Sequence, residues 1–155
     1  MTSLKERLQE DLPVAMRERD DVAVSTLRMA LAAITNAEVA GKEQVTLTDD
    51  DVVGVLRSEI RKRSDAATTY ADAGREELAQ RERSEADVLA RYVPAELDDD
   101  ALAAIVAEEI ARAAAEGVTG PRAMGAAVKA VRARVGTNAS GGRIADAVKT
   151  QLARG

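Results

Sequence analysis

Apolar residues recur at helical spacing along nearly the whole chain. Leu4, Leu8, Leu12 and Ala15 share one face of a first helix. Pro13 interrupts it, because proline lacks a backbone donor and clashes one turn back. That predicts a kink around residues 9–13, or a first part that is loosely held. Asp20-Asp21 punctuates the chain and can cap a second helix, whose face reads Val24, Leu27, Leu31 and Ile34. It is expected to reach about Ala40, with Gly41 as its stop. Thr48-Asp49-Asp50-Asp51 supplies a hydroxyl cap and acidic residues where a helix dipole favours them. The third helix then buries Val52, Val53, Leu56, Ile60, Ala67 and Tyr70, and carries Arg57, Arg61, Lys62 and Arg63 on its outer face.

Gly74 ends that helix. Arg75-Glu76-Glu77 opens a fourth, with Leu78, Ala86, Leu89 and Tyr92 inward, and Pro94 stops it. Asp98-Asp99-Asp100 caps a fifth helix through Leu102, Ile105, Val106, Ile110 and Ala113, terminated by Gly117. A sixth begins near Pro121, a residue tolerated in the first turn, with Met124, Val128, Val131 and Val135 as its stripe. After a turn over residues 136–142, a seventh carries Ile144, Val148 and Leu152. The pattern predicts an all-α protein. An N-terminal four-helix domain, residues 1–93, is followed by a small three-helix tail domain, residues 94–155, with the boundary within Tyr92-Val93-Pro94-Ala95-Glu96-Leu97.

Composition supports the helices. The 155 residues are 46% hydrophobic, yet they include no Phe or Trp and only two Tyr. Strands draw on aromatic and β-branched residues, whereas Ala, Leu, Arg and Glu favour helix. Arg outnumbers Lys 17 to 5 in an Ala-rich chain, a bias of GC-rich genomes that speaks to codons rather than mechanism. Separately, a bacterial protein is expected. Cys and His are both absent. This removes disulfides, thiol nucleophiles, the usual general base at neutral pH and the commonest metal ligands. Without a phosphate-binding loop or dinucleotide fingerprint, the expectation is no catalytic residue, no metal and no cofactor. Ser140-Gly141-Gly142 reads as a helix cap, and the two Asp runs read as helix starts. With no apolar run of membrane-spanning length, a soluble cytoplasmic protein that does not engage membranes is expected.

Charge adds a candidate surface. Residues 117–155 contain seven basic residues and one acidic residue, Asp146, whereas residues 1–116 contain 15 basic and 26 acidic. An acidic body with a basic tail points to an interaction segment, often one meeting nucleic acid. At about 100° per residue, Arg122 and Lys129 fall opposite the stripe of the sixth helix, Arg132 and Arg134 flank it, and Arg143 and Lys149 flank the stripe of the seventh. These six are the candidate nucleic-acid-binding residues. Cations on an accessible surface suffice for phosphate contact. A tail without aromatics has no base-stacking platform, so any recognition is backbone-directed.

Leu27-Arg28-Met29-Ala30-Leu31-Ala32-Ala33-Ile34 and Ala73-Gly74-Arg75-Glu76-Glu77-Leu78 resemble, in that order, the "R-M-x-x-x-A-I" helix and the "A-G-R-x-x-L" junction of the YqeY family. Tyr92-Val93-Pro94-Ala95-Glu96-Leu97 resembles its "Y-L-P-x-Q-L" boundary; Met124-Gly125 and residues 139–152 resemble its tail. Ser140 stands where the family usually has Asp, and Thr137-Asn138 replace its Gly-Arg. The resemblance implies an all-helical protein whose tail is similar to the C-terminal domain of GatB. That protein is a subunit of the amidotransferase acting on misacylated glutamyl- and aspartyl-tRNA, and there the tail belongs to the tRNA-contacting part. The implied function is a non-catalytic tRNA-associated accessory protein. The alternative is a helical adaptor for the tRNA amidotransferase or an aminoacyl-tRNA synthetase. A carbon–nitrogen ligase activity with glutamine as amido donor is implied by family association alone.

Overall fold

The computed structural model describes residues 2–154. Among them are seven α-helices, one short 3-10 turn and no strand. The helices are α1 Leu4–Arg17, α2 Asp21–Glu38, α3 Asp49–Asp72, α4 Glu76–Ala90, α5 Asp99–Ala115, α6 Pro121–Val135 and α7 Gly141–Arg154; the 3-10 turn is Gly136–Asn138. The chain divides into two units, Met1–Pro94 with α1–α4 and Ala95–Gly155 with α5–α7. Each has its own apolar core. Leu8, Leu27, Ile34, Leu56 and Leu89 centre the first, and Val106, Ala127, Val131, Ile144 and Val148 the second.

Local chemistry explains the helix starts. Ser3 with Glu6, and Thr48 with Asp51, form reciprocal capping boxes that satisfy orphan first-turn donors. Asp20 and Asp98 accept from Ala23 N–H and Ala101 N–H at 3.1 and 2.7 Å. Ser140 Oγ accepts from Arg143 N–H at 3.3 Å, the capping role expected of it. Asp49 reaches across to accept from Leu4 N–H at 3.0 Å, so the start of α3 also holds the start of α1. Helix α1 runs unbroken through Pro13 to Arg17. Its first part is not loose, since Leu4 and Leu8 are buried and its amino end is doubly held.

Several faces sit one position away from those predicted by large apolar side chains. In α2 the buried set is Ala23, Thr26, Leu27, Ala30 and Ile34, while Val24 and Leu31 lie at the margin. In α4 Ala79 is buried and Leu78 is 42% exposed; in α6 Ala123 and Ala127 are buried while Met124 and Val128 are peripheral. Helix separation depends on the side chains at the contact. Alanine permits the closest approach, so alanine faces win the seams and bulkier residues fill the edges. Helix α2 also stops short of Ala40. It ends at Glu38, whose carbonyl accepts from Val45 N–H at 2.9 Å as the chain doubles back, and Gly41 has no positive φ and is not the stop.

The largest correction concerns Arg63, expected outside and found 5% exposed. It donates to the Glu59 carbonyl at 3.1 Å and lies 3.4 Å from the Glu59 carboxylate and 3.8 Å from that of Glu85 on α4. Met29 Sδ on α2 is 3.6 Å from the same guanidinium. Burying an arginine is tolerable only with such compensation, and the long aliphatic stem adds packing. A similar pair, Lys5 Nζ to Glu38 Oε1 at 2.7 Å, joins α1 to α2. The hydrogen bond from Lys5 holds the Glu38 carboxyl below its ordinary value despite its burial. Nearby, Tyr92 donates to Asp11 at 2.5 Å, and burial first, then that partner, pushes its hydroxyl up to about 12. Removing Arg63 leaves Glu59 with Lys62 at 3.0 Å and Glu85 with Arg81 at 3.7 Å, and it loses both the link from α3 to α4 and the packing of a buried stem, so Arg63→Ala is predicted to lower the unfolding free energy by about 2 kcal/mol. Urea denaturation reads this directly. A change within about 0.5 kcal/mol, the range of an ordinary surface substitution, would show that the cluster is not a structural element.

Candidate nucleic-acid interface

The six predicted cations all lie in the second unit, and the fold treats them unequally. Arg134, in the last turn of α6, turns toward α5. Its guanidinium meets Glu108 at 2.7 Å and Glu109 at 3.5 Å. Glu109 is 2% exposed and also takes Arg112 at 2.9 Å. Its burial demands cations, and Arg134 is one of them; the Glu108 hydrogen bond raises the Arg134 pKa further. Arg143 is occupied as well. It donates to the Leu97 carbonyl at 2.7 Å and to Asp99 at 2.9 Å, and it lies 3.6 Å from Glu96. Leu97 N–H in turn donates to the Asn138 carbonyl at 2.9 Å. Arg143 therefore fastens the segment leading into α5 onto the start of α7.

Arg132 is exposed but lies along the backbone. It donates to the Gly136 carbonyl at 3.5 Å, and a Cβ placed on Gly141 would come within 2.7 Å of its guanidinium. Glycine at position 141 leaves room for that side chain. Arg122, Lys129 and Lys149 are exposed and make no ion pair or side-chain hydrogen bond among the described residues. With the buried face of α6 now centred between Ala127 and Val131, Arg122 and Lys129 remain on its far side. On α7, the residues facing α5 include Arg143, Ala147 and Gln151, which line an open groove of about 630 Å³ with Leu102 and Ala103. Lys149 lies on the other flank of α7.

The electrostatic picture changes with the fold. Residues 95–155 contain eight basic and eight acidic residues, against 14 and 19 in residues 1–94. The basic tail is thus part of a neutral unit, because α5, its lead-in and its C-cap Glu116 bring seven carboxylates. Those charges are separated in space: two of the six cations are drawn to the carboxylates of α5 and its lead-in, while Arg122, Lys129 and Lys149 have no ion pair among the described residues. Sequence phasing located the exposed face of α6. It missed the destinations of Arg134 and Arg143, for which the run of acids at residues 96–109 was the available signal. It also gave no sign of the α5–α7 groove. The Asp runs serve helix starts, and among the described residues no group of three His, Cys, Asp or Glu side chains gathers as a metal site. No helix of the described residues is long and apolar enough to cross a membrane.

The sequence profile of the family described as Yqey-like protein matches residues 5–152. The chain belongs to the YqeY family. It is 34% identical over 86 residues to a Pyrenophora tritici-repentis protein named altered inheritance of mitochondria protein 41, mitochondrial; the match covers 56% of this chain and 46% of that one. The Meyerozyma guilliermondii protein of the same name is 34% identical over 87 residues, covering 56% and 44%. An uncharacterised Schizosaccharomyces pombe protein is 32% identical over 92 residues, covering 59% of this chain and 73% of that one. The matched stretch thus spans under half the length of these two mitochondrial relatives. These relatives correct the expectation of a bacterial, cytoplasmic protein, since they are fungal and the first two are mitochondrial by name. A cysteine-free, helix-favouring composition suits more than one compartment, so it was no guide to location.

The unequal use of the cations has a measurable consequence. Arg143→Ala is predicted to destabilise the second unit by about 1–2 kcal/mol through the lost bond to Leu97, whereas Lys129→Ala stays within about 0.5 kcal/mol of the native protein. Chemical denaturation of both variants tests the division. Equal stability of the two would refute the fastening role of Arg143.

Proposed function

We propose that this YqeY-family protein is a non-catalytic, tRNA-associated accessory protein. The four-helix and three-helix units act as separate domains, residues 1–93 and 94–155, and RNA backbone is contacted by the exposed cations of α6 and α7. The observation that carries this reading is the set Arg122, Lys129 and Lys149, exposed and without an ion pair among the described residues, beside exposed Arg132. Surface cations left without carboxylate partners in a neutral unit are available to phosphates. Arg134 and Arg143, occupied by carboxylates, have a structural role instead. Resemblance of the tail to the tRNA-contacting domain of GatB supplies the class of RNA. Any compartment that translates protein holds tRNA, mitochondria included, so the names of the fungal relatives fit the reading.

One observation favours a second reading, a protein–protein adaptor for an amidotransferase or synthetase. Met16 and Met29 on the first unit are each half exposed, with the Arg28 guanidinium 3.9 Å from Met16 Sδ. Exposed methionines suit adaptable protein contacts. A partner retained after nuclease treatment supports the adaptor and counts against RNA. Binding of bulk tRNA is expected to weaken with salt, the logarithmic slope falling by about 0.7–0.9 for each phosphate contact removed. In a salt-dependent gel shift, changing Arg122, Lys129, Arg132 and Lys149 to Ala is predicted to abolish most binding, while Arg134→Ala leaves the slope unchanged. Retention of full affinity by the fourfold variant, or no shift by the native protein at low salt, would remove the RNA reading.

A further inference from the structure

Gly125 is the fifth residue of α6, exposed and well inside the helix. Glycine there is costly, since only proline is a poorer helix former. Nothing inside the protein requires it: its φ is not positive, and a Cβ built on it meets no atom within 4 Å. A mid-helix glycine with neither a backbone nor a packing reason leaves a stretch of bare backbone open to close approach from outside the molecule. Its neighbours say what approaches. On a helix surface, residues three and four apart are adjacent, so Arg122 lies one turn before Gly125, Lys129 one turn after, and Arg132 a further turn along. These cations span about 15 Å of the helix axis at 1.5 Å per residue, with no acidic residue anywhere in α6.

We infer that Gly125 is a close-approach point for a phosphodiester backbone, a bare patch of helix ringed by Arg122, Lys129 and Arg132; this rests on the RNA reading above. The mid-helix amide groups are committed to the helix ladder, so the glycine contributes proximity rather than hydrogen bonds. A strand lying against Cα at this point is drawn within reach of all three flanking cations, whereas a side chain at position 125 holds it away. The sulfur-bearing residue before it, Met124, points to the core edge and packs on the cluster formed by α5, α6 and α7. The pair Met124-Gly125 thus divides an inward packing role from an outward contact role.

The test uses the full chain with Gly125→Ala and Gly125→Leu, bulk tRNA as probe, and a thermal melt of each variant. Both substitutions point into open space and improve helix propensity, so melting temperatures equal to or above the native value are expected. Binding of tRNA is expected to fall at least about tenfold for Gly125→Leu, with Gly125→Ala between it and the native protein. Native-like affinity in Gly125→Leu overturns the inference. If the triple variant Arg122→Ala, Lys129→Ala, Arg132→Ala loses binding at the same time, the RNA reading stands and only the role of Gly125 falls. Absence of tRNA binding in the native protein at low salt ends both. Displacement of tRNA by polyglutamate as readily as by unlabelled tRNA overturns the phosphodiester assignment.

Discussion

Three carboxylates are buried among the described residues, and each is met by a cation from another helix. Glu38 on α2 meets Lys5 of α1, Glu85 on α4 meets Arg63 of α3, and Glu109 on α5 meets Arg134 of α6. A buried carboxylate without a partner costs several kcal/mol, and a one-turn slip of either helix moves the partner about 5 Å away. These pairs therefore constrain how neighbouring helices pack in a chain that has no Phe or Trp to shape its cores. The alanine faces allow close approach, and the ion pairs favour one register over its neighbours.

That constraint reaches the candidate interface. Arg134 is set by Glu109, and Arg143 by the Leu97 carbonyl and Asp99. What remains for a partner is the outer side of α6 with Lys149 of α7. A net count of charge along the chain mixes these two populations. The fold separates them, giving a neutral unit with its structural cations paired on one side and its unpaired ones elsewhere.

The helices themselves were legible in the sequence because capping residues and glycine or proline stops are local signals: Thr48, Asp98, Gly74 and Pro121 do in the structure what their chemistry implies. The fine rotation of each face was not legible. A wheel weighted by apolar size chooses Met124 and Val128 over Ala123 and Ala127, although contact distance favours the smaller pair. Buried charge was invisible for a related reason: Arg63 and Glu109 are polar by type, and although Glu59 and Arg112 lie within a turn of them, the partners on facing helices, Glu85 and Arg134, are far along the chain. The exposed cations of α6 survived the correction because rotating the stripe by one residue still leaves Arg122 and Lys129 on the solvent side.

Two populations of cations sharing one small unit are told apart by residue-resolved NMR of the whole chain during titration with bulk tRNA. Amide shifts or broadening are expected to centre on Arg122, Gly125, Lys129 and Arg132, with Glu108, Glu109 and Arg134 unmoved. Perturbations centred on the paired cations, or on α1–α4, would contradict that division.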